Sequence, residues 1–384
     1  MNVLFDYQAF QMQKYGGVSN CFCKLISHFN KNIKYKIGIV QSENLHLKES
    51  NLCTDLATNK MDYNKFISKY SFKGKGLFYI WANKLLPLPT AENLNKRKSI
   101  EYLKEGNFDV FHPTFFDDYF LKYINGKPFV LTIHDMIPEL FPEYFSKNDF
   151  QILAKRKLSK KASAIIAVSE KTKQDIIKIL GVPEEKIHVI YHGGPKIESI
   201  KDKSIFNFPY FLYIGQRYTY KNFNQLLKDF SKFTTEHKEV RLVCTGPKFN
   251  DSEIDNINNL NLSNNIIHIE ANDNQLKNLY ANAEAFIYPS LYEGFGIPIL
   301  EAFAYGCPVL LNNKSCFPEI AGNAAIYFES DQYSSNIYET LMSFYNLPTI
   351  EKEALKNKGY ERLSSFSWEN SAIKLQKLYS KLLD

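Results

Sequence analysis

A chain of 384 residues, 45% hydrophobic and carrying a net charge of +6, has enough apolar content for two fully packed domains, which excludes a disordered chain. No apolar run reaches the roughly eighteen residues of a membrane-spanning helix, and six scattered cysteines fit neither a zinc site nor a secreted framework, so reduced thiols in a cytoplasmic protein are expected. Charge is uneven: residues 1–200 hold 29 Lys and Arg against 20 Asp and Glu, a net of +9, while residues 201–384 hold 18 against 21, a net of −3. The basic half includes Lys96-Arg97-Lys98 and Lys155-Arg156-Lys157 with Lys160-Lys161, and it is expected to meet an anionic partner such as the inner face of a membrane. Nucleic acid is not expected, because no binding motif accompanies the charge.

In chain order, Met1 to Tyr7 reads as a strand with an acid at its end rather than as a signal peptide. Short apolar runs then alternate with helical stretches, the pattern of a parallel sheet wound with helices. Strands are predicted at Asn2–Phe5, Lys36–Val40, Val110–His112, Phe129–Ile133, Ala164–Val168 and Val189–Tyr191. A second series follows at Tyr210–Ile214, Arg241–Cys244, Ile266–Ile269, Ala285–Tyr288, Pro308–Leu311 and Ala325–Phe328. The polar, turn-rich stretch from Gly193 to Pro209 reads as the linker between the two series. Residues 42–105 are the least regular, mixing Phe66, Tyr70, Phe72, Phe78, Tyr79 and Trp81 with lysines; core packing or a surface for an acceptor or lipid head group both fit them.

Several stretches carry chemistry. Gly16-Gly17 precedes a helical run and is a phosphate-approach loop in principle, although most glycine pairs are plain turns. His112 and His134 each end a strand, where ligands of open α/β sheets bind. Asp117 and Asp118 stand near them as candidates for acceptor hydroxyls, and Asp135 either orients the His134 ring or meets the acceptor. After the strand Tyr210–Ile214 come Gly215, Arg217 and Lys221; a fork of donors and a point charge four residues apart suit one diphosphate. Finally, Tyr288 leads through Glu293-Gly294-Phe295-Gly296-Ile297-Pro298 to Glu301. Gly294 and Gly296 allow close backbone approach, Pro298 suits a first helical turn, and the helix start attracts phosphate. Glu293 before the helix and Glu301 in its first turn are placed to accept hydrogen bonds from sugar hydroxyls on either side of a diphosphate. No Asp-x-Asp triplet occurs, so no metal or other cofactor is expected.

The run from Pro289 to Val309 resembles the donor-site signature of glycosyltransferase family 4, retaining enzymes of the GT-B fold. Leu276-x-x-Leu279-Tyr280 before it, Ser315-Cys316-Phe317-Pro318-Glu319 after it and Val168-Ser169-Glu170 extend the resemblance over essentially the whole chain. It implies two doubly wound, Rossmann-like domains facing across a cleft: an acceptor-side domain over 1–196, a donor domain over 197–365, and a final helix over 366–384 that crosses back to the first. It further implies that Gly16 and Gly17 close over the donor phosphates, that His134 contacts the donor sugar and that Arg217 and Lys221 hold the pyrophosphate. Many relatives carry an arginine where this chain has Asn20. The stretch around His134-Asp135 and Phe141-Pro142 looks most like transferases of bacterial surface polysaccharides. A hexose or deoxyhexose from GDP-mannose or a GDP-deoxysugar such as GDP-rhamnose is therefore expected, with a UDP-sugar as the other option and a glycan or lipid-linked glycan as acceptor. A nucleotide-sugar epimerase of the same shape and a non-catalytic sugar-binding protein are the alternatives. A nicotinamide enzyme is disfavoured, since no Gly-x-Gly-x-x-Gly follows a strand.

Overall fold

A computed structural model of the chain describes residues 1–53, 56, 74–75, 78, 90–146, 149–200, 202–217, 219–331 and 333–384. Of the aromatics singled out between 42 and 105, only Phe78 lies within the described residues. All twelve predicted strands are present, most within one or two residues of the expected ends. The second shifts most, from 36–40 to Lys34–Ile37, and the sixth moves from 189–191 to Ile187–Val189, because a short 3-10 turn over Glu184–Lys186 feeds straight into it.

The first series forms β1 (Asn2–Phe5), β2 (Lys34–Ile37), β3 (Val110–His112), β4 (Val130–Ile133), β5 (Ala164–Ala167) and β6 (Ile187–Val189). Parallel pairing gives β2-β1-β3 and β4-β5-β6, joined by a single parallel bridge from Phe111 to Phe129. The second series, β7 (Tyr210–Ile214), β8 (Arg241–Thr245), β9 (Ile266–Ile269), β10 (Ala285–Tyr288), β11 (Val309–Asn312) and β12 (Ala325–Phe328), makes one parallel sheet in the order β12-β11-β10-β7-β8-β9. Strands buried on both faces need near-continuous apolar runs, and β4, β5, β10 and β11 are buried at every position. Strand order reverses between β7 and β10, which opens a crevice beyond their carboxyl ends.

The second sheet is sandwiched between two apolar clusters, one around Leu300, Phe303 and Phe317, the other around Phe223, Phe230 and Phe344. A separate cluster fills the first half and recruits Ala372, Leu375, Leu378 and Tyr379 from the final helix, Trp368–Lys381. That helix is capped by Ser367, whose side chain accepts from the Asn370 N–H. Its entry is tightly packed: a Cβ on Gly193 would fall 2.3 Å from the Trp368 nitrogen, and one on Gly194 2.3 Å from the Leu363 Cδ1.

Candidate active site

At the crevice between β7 and β10, the two following loops are stitched together by a hydrogen bond from the Leu291 N–H to the Tyr220 carbonyl, 2.8 Å. The loop after β7 ends in a 3-10 turn at Thr219–Lys221, and Asn222 then adopts a left-handed conformation (φ 56°) before the helix Phe223–Glu236. This turn directs Lys221 to Glu293, with Nζ 2.6 Å from Oε1 and both side chains largely enclosed. The Lys221 ammonium also lies over the Tyr220 and Tyr288 rings. Glu293 is further fixed through its backbone, which exchanges hydrogen bonds with the Ser315 hydroxyl. Burial, followed by the nearby Glu293 carboxylate, pushes the Tyr288 hydroxyl far above its ordinary value.

Gly296 is the residue before the helix Ile297–Ala304, at φ 93° where a side chain would be strained. Pro298, which has no N–H, occupies the first turn, the Ile299 N–H bonds the Gly296 carbonyl at 3.0 Å, and no side chain caps the start. Glu301, expected in the first turn, lies one turn further in, because the helix begins at Ile297. There it accepts from the Tyr280 hydroxyl at 3.0 Å, and burial raises its pKa. It borders a cleft of 770 Å³ between the two halves, together with Asn20, Lys24, Asp273, Ile297 and Trp368. Helix Gly17–Ser27 presents Asn20 and Lys24 to that cleft, and Gly16 precedes it in extended conformation.

Gly294 is explained by contact rather than by backbone angle. A Cβ there would stand 1.8 Å from the His134 carbonyl oxygen and 3.2 Å from the Asp135 Cβ. Its own carbonyl accepts from Ser169 (2.7 Å) and Thr172 (3.2 Å), so the donor loop is docked on the first half. Glu319 adds a second tie by accepting from the Glu170 and Lys171 N–H groups at the start of helix Glu170–Leu180. Tyr292 adds a third, donating to Asp175 at 2.8 Å.

His134 follows β4 beneath this loop. Its Nε2 is buried with no hydrogen-bond partner among the described residues. Burial lowers its pKa to about 4, so the ring is neutral at pH 7. Asp135 turns inward, accepting from the Ile137 N–H, while its carbonyl takes a bond from Lys155.

Four expected site residues stand elsewhere. Arg217 does not face Glu293: its Nε and Nη2 form a fork on Glu253 (2.7 and 3.2 Å), Nη2 also donates to the Pro247 and Lys248 carbonyls, and Phe249 covers its face. His112 is buried with both ring nitrogens engaged, Nδ1 with Tyr379 and Nε2 with Thr132, which leaves no capacity for an acceptor hydroxyl. Asp117 pairs with Lys96 at 2.8 Å, and Asp118 with Lys157. Lys155, read as part of a basic surface, is instead 1% exposed; it neutralises the equally buried Glu139 at 3.0 Å, because an unpaired carboxylate there would be costly.

Sequence reasoning passed over two residues. Asp6, at the end of β1, is fully buried and accepts from Thr114, Gln8 and Tyr119; burial raises its pKa. His192, just after β6, packs against His134 and Phe295. An acid closing an apolar strand was the available signal for the first, whereas His192 falls between the strand predicted at Val189–Tyr191 and the linker that starts at Gly193, with no motif to single it out.

Two facing Rossmann-like sheets, with the strand–glycine turn–helix site at the mouth of one, define a GT-B protein. The profile described as glycosyl transferases group 1 matches residues 196–362, and that described as glycosyltransferase family 4 matches residues 75–193. The chain belongs to the family 4 glycosyltransferases. It is 33% identical over 207 residues to the O-antigen chain mannosyltransferase RfbU of Salmonella typhimurium, an alignment covering 53% of this chain and 58% of that protein. It is 26% identical to O-antigen chain mannosyltransferase B of Escherichia coli over 83% of this chain and 86% of the other. Among solved structures, Anabaena HepE in complex with UDP-glucose superposes with a TM-score of 0.72 at 17% identity, covering 99% of this chain and all of that one. A glycosyltransferase from Rickettsia africae gives 0.67 at 18% identity over 100% and 98%.

Proposed function

We propose that this protein transfers a hexose, mannose in the first instance, from a nucleoside diphosphate sugar to a hydroxyl of a growing surface glycan, with retention at the anomeric carbon. The observation that carries the reading is the Lys221–Glu293 pair at the mouth of β7 and β10, beside the uncapped helix start at Gly296 and next to Gly294, which rests on the His134 carbonyl. The ammonium and the helix N-terminus offset diphosphate charge without a metal. Glu293 and His134 face the sugar, and Glu301 in the 770 Å³ cleft accepts from ribose hydroxyls. On reaction the acceptor oxygen bonds to the anomeric carbon as the bond from that carbon to the leaving phosphate oxygen breaks. The acceptor proton passes to a donor phosphate oxygen, so no strong protein base is needed.

Two O-antigen mannosyltransferases among the relatives favour mannose and hence GDP-mannose or a related GDP-deoxysugar. A fold shared with a protein bound to UDP-glucose keeps a UDP-sugar as the second reading. The discriminating measurement is calorimetric titration with GDP and with UDP, followed by release of GDP from GDP-mannose in the presence of a chelator. GDP binding tighter than UDP and undiminished release support the reading; tighter UDP binding reverses the donor, and loss of release with chelator removes metal independence. Arg217 belongs to the pyrophosphate grip in this reading, reached by exchanging Glu253 for the donor. Docking of the basic first half on an anionic membrane completes it.

A further inference from the structure

His192 stands where four separate pieces of the protein meet. Its ring stacks on His134 (centroids 5.8 Å apart, planes 24° apart) and meets the edge of Phe295 in the donor loop at 4.8 Å. It lies 5.6 Å from the Trp368 ring, at the start of the final helix. On the remaining side, Nδ1 is 3.3 Å from the Cys21 thiol, on the helix that follows Gly16. Its backbone cannot drift, because the next two residues, Gly193 and Gly194, are wedged against Trp368 and Leu363.

The consequence falls on His134. A ring normally takes its orientation from hydrogen bonds at its nitrogens, yet the Nε2 of His134 has no partner among the described residues. What fixes its plane is packing: the face of His192 on one side and Phe22, edge-on at 6.3 Å, on another. Both imidazoles are kept neutral by burial, so the stack is not opposed by like charge. We infer that His192 is a positioning residue, whose flat face aims His134 at the donor sugar and registers it against Phe295 of the donor loop.

This inference rests on His134 serving the donor, and the test separates the two. Four variants, His134→Ala, His192→Ala, His192→Phe and Cys21→Ala, are compared for release of nucleoside diphosphate from whichever of GDP-mannose and UDP-glucose the parent protein turns over. Loss of aim by an ångström or so lowers kcat by about 100-fold, so His192→Ala should lose roughly 10- to 100-fold in kcat with donor KM nearly unchanged. His192→Phe, which keeps a flat face but no nitrogens, should recover to within about 3-fold of the parent, and Cys21→Ala should stay near it, because stacking rather than hydrogen bonding carries the role. If His192→Phe is as impaired as His192→Ala, a hydrogen bond is at work and the stacking role fails. If both variants lower the melting temperature and leave kcat alone, His192 only packs, and the inference fails. Full activity in His134→Ala would instead remove the assignment of His134, whatever the His192 variants do.

Discussion

Replacing Lys221 by alanine would leave the Glu293 carboxylate enclosed beside Tyr288 with its cation gone. An enclosed group that loses its partner costs about 1–3 kcal/mol, so a modest fall in melting temperature is expected. If Lys221 also meets the diphosphate, kcat should fall by about 100- to 1000-fold, much more than the stability change explains. A Lys221→Ala protein that melts earlier but transfers sugar at the parental rate would make the pair structural only. Gly294→Ala tests the same place from the other side. Its methyl cannot coexist with the His134 carbonyl at 1.8 Å, so the loop must lift from the first half; activity should be lost while each half keeps its own core. That Lys221 and Glu293 belong near one crevice was an expectation carried by the family resemblance; their direct ion pair was not foreseen. Nor was the partner of Arg217. Glu253 lies 36 residues away as the third residue of a capping box with Asn250, a pattern that announces a helix start and nothing about an arginine.

Besides the half-buried His188 on β6, three histidines lie on or just beyond strands of the first half: His112 on β3, His134 after β4 and His192 after β6. Burial lowers their pKa values to about 3, 4 and 3 respectively, whereas in the unfolded chain each returns toward about 6.5. The unfolded state therefore binds more protons at mildly acid pH, and stability present above pH 6.5 is lost as pH falls toward 4. Asp6 and Glu301, whose pKa values burial raises, take up protons in the folded state and oppose the trend. The net uptake on unfolding should be roughly one to three protons, read as the slope of unfolding free energy between pH 6.5 and 4.5. A profile that stays flat in an Asp6→Asn, Glu301→Gln background, where no carboxylate offsets the rings, would mean that the three rings are charged or solvated when folded. The strands themselves could be placed from apolar runs and their order from the alternation with helices, because local pattern dictates both. Lys155 could not: its sequence neighbours are solvated, and only the tertiary position of Glu139 draws it inward.

Across the whole molecule, charge asymmetry acquires a location once Lys155 is removed from the surface set. Helix Phe150–Lys161 exposes Phe150 and Leu153 at its start and Arg156, Lys157, Lys160 and Lys161 toward its end. Leu140 and Tyr144, on the preceding turns, are exposed as well. Apolar side chains beside several cations on one domain suit the boundary of an anionic bilayer, where each basic residue near the surface contributes about 1 kcal/mol. No helix among the described residues is long and apolar enough to cross a membrane. The protein should co-sediment with vesicles containing phosphatidylglycerol and not with purely zwitterionic ones, and salt should weaken the binding as the surface field is screened. Phe150→Ser with Leu153→Ser should weaken it at low salt without changing turnover of a soluble donor. Reversal of Lys160 and Lys161 to glutamate should abolish it. Equal sedimentation of all these variants with both vesicle types would detach the basic half from any membrane role and leave its charge as plain solvation.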